Sequence, residues 1–423
     1  MSTADECIRF AAISSCRPYP TDFLPVRDLD NSSPTAQTTF IHQSLCTRVV
    51  SRPGAVLELG RELARLGCQR PLLISGTRTA SSALYAEVRE TVRDFAFFEA
   101  TDIPQHSSVP TVSRVVQTAR DNGIDALVAV GGGSVSDTAK AVALVLAEGE
   151  PLAQYASRFV PPDTVLTPNL LRPKLPIISI PITASGAEAT PSFGIGTPEG
   201  TKLLFWDAQL ASRVILLDPL ANVRIPASVM LSTGMNGLAH CIEGLYSKNR
   251  SPITGILALD GIVQFDRAMR HVALAPDQVE ARAQLLVAAY ISGMVLASAR
   301  SCLHHAICHV LGATFRVPHG DVNSVMLPHA VQFNAPFAVQ ELTAAATRLG
   351  IADAAQDATR ALVDWIRSLQ KITGVPTRLR DLGIDRQVLR SVAERAVHER
   401  GVAYNPRPVS DPAEIESILI AAW

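Results

Sequence analysis

The chain has 423 residues, 47% of them hydrophobic and 18% charged, with a formal net charge of −1. That length allows two or three domains with large apolar cores, and the near-zero charge argues against a nucleic-acid or anionic-membrane partner. Seven cysteines without paired spacing, no uninterrupted apolar run of about 18 residues and no basic-then-apolar start predict a cytoplasmic enzyme with free thiols.

Residues 1–40 are rich in Ser, Thr, Pro and Asp and lack periodicity, which predicts a partly disordered extension. Residues 41–220 then alternate short apolar runs with helix-like stretches. The runs are Pro71–Ser75, Phe95–Phe98, Ala126–Val130, Pro176–Ile180 and Val214–Leu217, and the helical stretches include 83–93, 112–122 and 135–147. Buried parallel strands separated by helices give this rhythm, so an α/β nucleotide-binding domain is expected.

Gly131-Gly132-Gly133-Ser134 follows the Ala126–Val130 run and opens a helix. Three glycines let a ligand approach the backbone, and the free amides of a helix start suit a phosphate. Ser134 and Asp137, three apart, are spaced for a capping box. The spacing is not Gly-x-Gly-x-x-Gly, so a standard Rossmann enzyme is not implied. A second loop of small and hydroxylated residues, with Thr183 and Ser185, follows the Pro176–Ile180 run and offers donors to the same ligand.

Beyond Asp218-Pro219 the strand signals stop. Residues 221–423 read as an all-helical domain, with helices expected near 227–248, 253–272, 277–299, 301–312, 338–349, 354–371, 386–398 and 412–422. Four of the ten histidines, His304, His305, His309 and His319, fall in this half within sixteen residues, and His240 precedes them. Asn236 and His240 are four apart, as are His305 and His309, so each pair shares a helical face. Gly312 is expected to end the second helix, and His319 to sit in a Pro-His-Gly turn. Imidazole is the usual proton shuttle near neutral pH and a frequent metal ligand, so the chemistry is expected here.

From about residue 48 onward these motifs resemble the iron-containing (group III) alcohol dehydrogenase superfamily. The resemblance rests on Gly131 to Lys140, Pro181 to Glu188, Asp218-Pro219, Gly234 to Glu243, His305 to Gly312, Pro318 to Asn323, Leu327-Pro328-His329 and Asn405 to Pro408. It implies NAD(P) in a cleft between an α/β and a helical domain, and a homodimer. It also implies a divalent iron or zinc at positions that fall here on Asn236, His240, His305 and His319, with His309 near the nicotinamide and Lys202 near the cofactor. Asn236 stands where a metal-binding member has Asp, and losing that anion lowers affinity for a hard cation. The tandem His304-His305, the Cys308-His309 pair and Asn236 are similar to maleylacetate reductases, which reduce an activated carbon–carbon double bond. Gly76 stands where many members carry an Asp for the adenosine ribose, so repulsion of a 2′-phosphate is relieved and Arg78 can pair with it.

The expected activity is therefore NADH- or NADPH-dependent hydride transfer to an activated C=C or carbonyl of a small substrate. His305 and His309 are the expected proton donors, and His240, His305 and His319, with Asn236, the groups that stabilise developing charge. Two readings stay open beside it: a metal-dependent alcohol or aldehyde dehydrogenase with the metal on His240, His305 and His319, and a non-redox cyclase or lyase on the same fold.

Overall fold

The computed structural model describes residues 40–198, 200–352 and 355–423. The expectation for the N-terminal extension falls, apart from Phe40, outside the described residues.

Six strands form one parallel sheet: β1 (Arg48–Ser51), β2 (Pro71–Ser75), β3 (Phe98–Ala100), β4 (Ala126–Gly131), β7 (Ile177–Pro181) and β10 (Val214–Leu217). Their order is β1-β10-β7-β4-β2-β3. Alternation places Leu72, Ile74, Leu127 and Ala129 in a core on one face and Leu73, Val128, Val130 and Ile178 in a core on the other. A sheet covered on both faces favours apolar residues at nearly every position, which is why the central strands β2, β4, β7 and β10 read as apolar runs. The chain runs from β2 outward to β3 and returns to place β4 on the other side of β2. Such a reversal opens a crevice at the strands' carboxyl ends, where ligands of open α/β sheets bind. Gly76 and the glycine loop both lie at that edge.

Two antiparallel hairpins were not foreseen: β5 (Arg158–Val160) with β6 (Thr164–Leu166), and β8 (Ser192–Gly196) with β9 (Lys202–Trp206). Strand β1 was also missed, because Arg48–Ser51 is four residues long and its ends are exposed. The run expected at Phe95–Phe98 forms its strand later, at Phe98–Ala100.

From Pro219 onward the described residues form helices and connecting segments, without strands. The helices Ala227–Tyr246, Pro252–Leu274 and Val279–Ala299 pack together around Met235, Leu238, Ile262, Phe265, Leu285 and Leu286. Val279–Ala299 is long and apolar enough to cross a membrane by length and composition, and half of its most apolar window is buried inside the protein. Leu303–Phe315 carries the clustered histidines. It continues past Gly312 and stops where Arg316 turns left-handed at φ 54°. His319 is in no turn: it is the first residue of a sixteen-residue helix, His319–Asn334, with Pro318 as N-cap. Pro328 lies inside that helix and has no N–H for the Ser324 carbonyl four residues back. Gln370 supplies the missing donor, its Nε2 lying 2.7 Å from Ser324 O.

Candidate active site

The glycine loop and the second loop meet. The amide of Ile182 donates to Gly131 O at 3.1 Å. A Cβ on Gly132 would lie 2.7 Å from Thr183 Cγ2, so only glycine lets the loops close on each other there. Gly132 is the N-cap of the helix Gly133–Glu148, whose first-turn amides face outward from the sheet edge. The expected capping box is absent, because the helix begins at Gly133 and Ser134 is already within its first turn. Ser134 Oγ accepts from the His106 amide at 3.1 Å, and Asp137 Oδ2 accepts from the Gly194 amide at 3.1 Å. Both residues thus tie the cradle to neighbouring segments. Buried Lys140 does the same, donating to Ala187 O at 2.6 Å and Ser192 O at 3.1 Å.

The second loop also touches the histidine side. The Ala184 amide donates to Thr233 Oγ1 at 2.9 Å, and Asn236 Nδ2 lies 3.5 Å from Ser185 O. Residues 182–186 therefore form a bridge, with the glycine cradle on one side and the Ala227–Tyr246 helix on the other.

On that helix Asn236, His240 and Glu243 follow at i, i+4 and i+7, one face turned toward Leu303–Phe315. His305 lies between them. Its Nδ1 is 2.5 Å from Glu243 Oε2, and its Nε2 is 3.0 Å from Asn236 Oδ1. Around His305 the ring centroids of His240, His309 and His319 stand at 4.5, 6.1 and 6.0 Å, and His309 and His319 stack at 5.7 Å. All four predicted imidazoles and Asn236 thus converge. His304 stands behind, with Nε2 3.0 Å from Asn323 O.

Burial dominates the protonation of this cluster. It pushes His240, His305, His309 and His319 well below the ordinary histidine range, and neighbouring rings and the Lys202 ammonium add to the effect. His304 is lowered to about 4 by the same desolvation. Burial raises Glu243 in the opposite sense. The Glu243–His305 pair therefore carries its shared proton as a neutral carboxyl beside a neutral ring, and His305 Nε2–H donates to Asn236. Packed like this, the imidazoles are neutral at pH 7.

Lys202, at the start of β9, lines a cavity of about 250 Å³ together with Thr201, His309, Val310, Arg395 and Glu399. Glu399 Oε2 lies 3.6 Å from His309 Nδ1. Lys202 thus belongs to the histidine pocket as much as to any cofactor. Gly76 lies at the start of the short helix Thr77–Ala80, where a Cβ would come 3.1 Å from Ile103 O, and Arg78 is exposed on that helix. Sequence reasoning missed two acidic partners. Glu243 was readable from its i+7 spacing; Glu399 was not, since it arrives from the far end of the helix Leu389–Ala396.

The two candidate ligands fit unequally. The glycine cradle suits a dinucleotide's diphosphate: Gly132 lets the two loops close, and Gly133 leaves open space where a Cβ would meet nothing nearer than Ala187 Cβ at 3.7 Å. The metal donors are three neutral imidazoles and an amide oxygen already engaged by His305, with no anion among them, a poor set for a hard dication. Glu243, His304 and His305 have ligand atoms within 4.8 Å of one another, and those separations are contacts among the three.

Residues 46–219 match the family described as iron-containing alcohol dehydrogenase, and residues 230–423 match the Fe-containing alcohol dehydrogenase family, C-terminal. The maleylacetate reductase of Pseudomonas sp. (strain P51) is 32% identical over 386 residues, 91% of this chain and 97% of that one. Among solved structures, maleylacetate reductase from Agrobacterium tumefaciens superposes with a TM-score of 0.75 at 26% identity, covering 91% of this chain and 98% of that one. The iron-containing alcohol dehydrogenase from Corynebacterium glutamicum gives 0.75 at 29% identity, covering 91% and 96%. The chain belongs to the iron-containing alcohol dehydrogenase family. Within it, this is a maleylacetate reductase-like, NAD(P)H-dependent oxidoreductase. Membership implies a nicotinamide cofactor and a divalent metal for the family at large.

Proposed function

We propose that this chain reduces an activated carbon–carbon double bond, conjugated to a carbonyl, in a small substrate, and that its histidine cluster replaces the metal of its relatives. The observation that carries this reading is His305 Nε2 held 3.0 Å from the oxygen of Asn236, where a metal site would offer a carboxylate. The dinucleotide rests on residues 131–134 with Asp137, Thr183 and Ser185 shaping the cradle. When bound, it supplies a hydride to the electrophilic carbon. Negative charge then grows on the conjugated oxygen, and donors fixed in advance stabilise it. His240 and His319 are those donors, with His305 turning its Nε2–H from Asn236 Oδ1 to the substrate oxygen. His309, next to a cavity and beside Glu399, whose carboxyl burial raises to about 7, is positioned to relay the final proton from that carboxyl.

Gly76 removes a carboxylate from the ribose site and Arg78 lies exposed two residues on, which supports acceptance of NADPH. The domain division near residue 220 follows the end of the last strand at Leu217. Free thiols at all five described cysteines support a reducing, cytoplasmic compartment. A homodimer rests on the family alone.

The test is NADH and NADPH oxidation with maleylacetate, a panel of enones and a panel of aldehydes, on protein of measured metal content. Turnover of enones by metal-depleted protein supports the proposal. Turnover of aldehydes alone, lost on chelation and restored by metal, assigns the metal-dependent dehydrogenase reading instead. No consumption of reduced cofactor with any of them leaves only the non-redox reading.

A further inference from the structure

The α/β half meets the helical half in two places of unequal tightness. At the first, Gly186 and Gly293 pack so closely that a Cβ on either would lie 2.3 Å from a backbone oxygen, Ala289 O for one and Gly186 O for the other. That joint cannot slide without unpacking backbone. At the second, a hairpin and a loop of the α/β half reach residues 315–317, between the helices Leu303–Phe315 and His319–Asn334 that carry the histidines. From the hairpin, half-buried Phe159 on β5 packs against the same helical core as Phe315 and Val317, and among the described residues it is the one side chain there that precedes Leu303. The hairpin itself is tied to β9 through the Ser157 amide, which donates to Leu204 O at 2.8 Å.

The loop is the one that follows β3. Its base is fixed to the cradle helix and to β8, with Ser107 Oγ 2.7 Å from Thr138 Oγ1 and Ser107 O accepting from the Gly196 amide at 2.9 Å. His106 donates its amide to Ser134 Oγ in the cradle and turns its imidazole to the backbone carbonyl of Val317, near the charges of Arg316 and Lys202. It therefore touches the cradle and the join of the two histidine helices at once. Among the described residues three non-glycine residues hold a positive φ, and two of them lie on the two sides of this junction, His106 at 59° and Arg316 at 54°. Backbone of that kind persists where surrounding contacts hold it, and it clusters at clamps and switches. One side-chain hydrogen bond and one half-buried ring contribute little net energy, so this junction parts without disturbing either core.

We propose that residues 315–317 are the catch of a clasp: His106 and Phe159 hold the helical half closed over a bound dinucleotide, and their release sets how fast the cofactor leaves. His106 is a positioning residue here, and closure of this kind shields a hydride donor from water. The proposal rests on the dinucleotide lying on residues 131–134. In the test, NADPH bound to the full chain is displaced by excess NADP⁺ in a stopped-flow instrument, and its release is read by fluorescence. The proteins are wild type, His106→Asn, Phe159→Ala, the double variant and Val160→Ala, each checked for folding by circular dichroism. Asn tolerates the left-handed backbone yet is too short to reach Val317, so the tie to Ser134 is kept. Release is expected to quicken by about fivefold or more in each single variant and further in the double, while Val160→Ala, an exposed neighbour on the same hairpin, stays within about twofold of wild type. Hydrogen exchange on wild type is a second reading: NADPH should slow exchange of the amides of residues 315–317 and leave that of Ala184 unchanged. Release within about twofold of wild type in both His106→Asn and Phe159→Ala, or exchange at 315–317 unmoved by NADPH, overturns the proposal. No substrate is used, so the predicted release without any enone reduction would sink the proposed function and leave the clasp standing. Failure of wild type to bind NADPH overturns the clasp together with the cradle.

Discussion

Glu243 and Asn236 hold the two ring nitrogens of His305 from opposite ends, at 2.5 and 3.0 Å. The Glu243 carboxyl donates to Nδ1 and the Asn236 oxygen accepts from Nε2–H, so the ring is fixed in orientation and its proton supply comes through Glu243. Replacing Glu243 with Gln keeps the volume and removes the exchangeable carboxyl proton. The expected result is a kcat lowered by roughly 10–100-fold with KM and NADPH affinity little changed, as for other partners that orient a reactive histidine. Steady-state kinetics on Glu243→Gln checks it, and a kcat within about twofold of wild type would remove Glu243 from the account.

On the proposed reading, the amide of Asn236 is what disfavours a metal in the pocket. Asn236→Asp adds a negative charge to His240, His305 and His319, restoring a donor set suited to a dication. Zinc affinity, measured by calorimetry with metal content by mass spectrometry, is expected to rise by about tenfold or more over wild type. Equal affinity in the two proteins would mean that the amide was never what weakened the site.

The glycine loop yields a paired test. A Cβ on Gly132 meets Thr183 at 2.7 Å, while one on Gly133 finds nothing nearer than Ala187 Cβ at 3.7 Å. Gly132→Ala should therefore lower both thermal stability and NADPH affinity. Gly133→Ala should leave stability alone and weaken NADPH by about tenfold, because only an approaching ligand meets the new methyl. Wild-type NADPH affinity in Gly133→Ala would move the diphosphate elsewhere.

The contribution of Glu188 to stability should fall as pH rises through neutrality, because burial pushes its carboxyl from 4.5 up to about 7. Between those values the folded chain keeps a proton that the unfolded chain has released. The stabilisation is complete below the unfolded value and is lost as pH rises through the folded one. Glu188→Gln removes this dependence, so relative to wild type it should gain roughly 2 kcal/mol between about pH 5 and pH 8. Urea denaturation at both values checks it, and a constant difference would contradict the burial argument.

Much of this was legible in the chain. Strands β2, β4, β7 and β10 announce themselves because burial on both faces leaves little beyond apolar residues and hydrogen-bonded Ser75 and Ser179. The four imidazoles were found because histidine is scarce and recurs at helical spacing. The His319–Asn334 helix was hidden by Pro318, His319 and Gly320, which read as a turn, and by Pro328. Its survival depends on Gln370, a partner 42 residues further along that no local pattern reveals.

The most direct measurement compares wild type with His305→Ala for two quantities in the same preparation: NADPH binding by fluorescence titration and NADPH oxidation with maleylacetate. The account predicts that binding survives nearly unchanged while oxidation disappears, because the cradle at residues 131–134 and the ring at 305 are separate parts. Oxidation that persists in His305→Ala would contradict it.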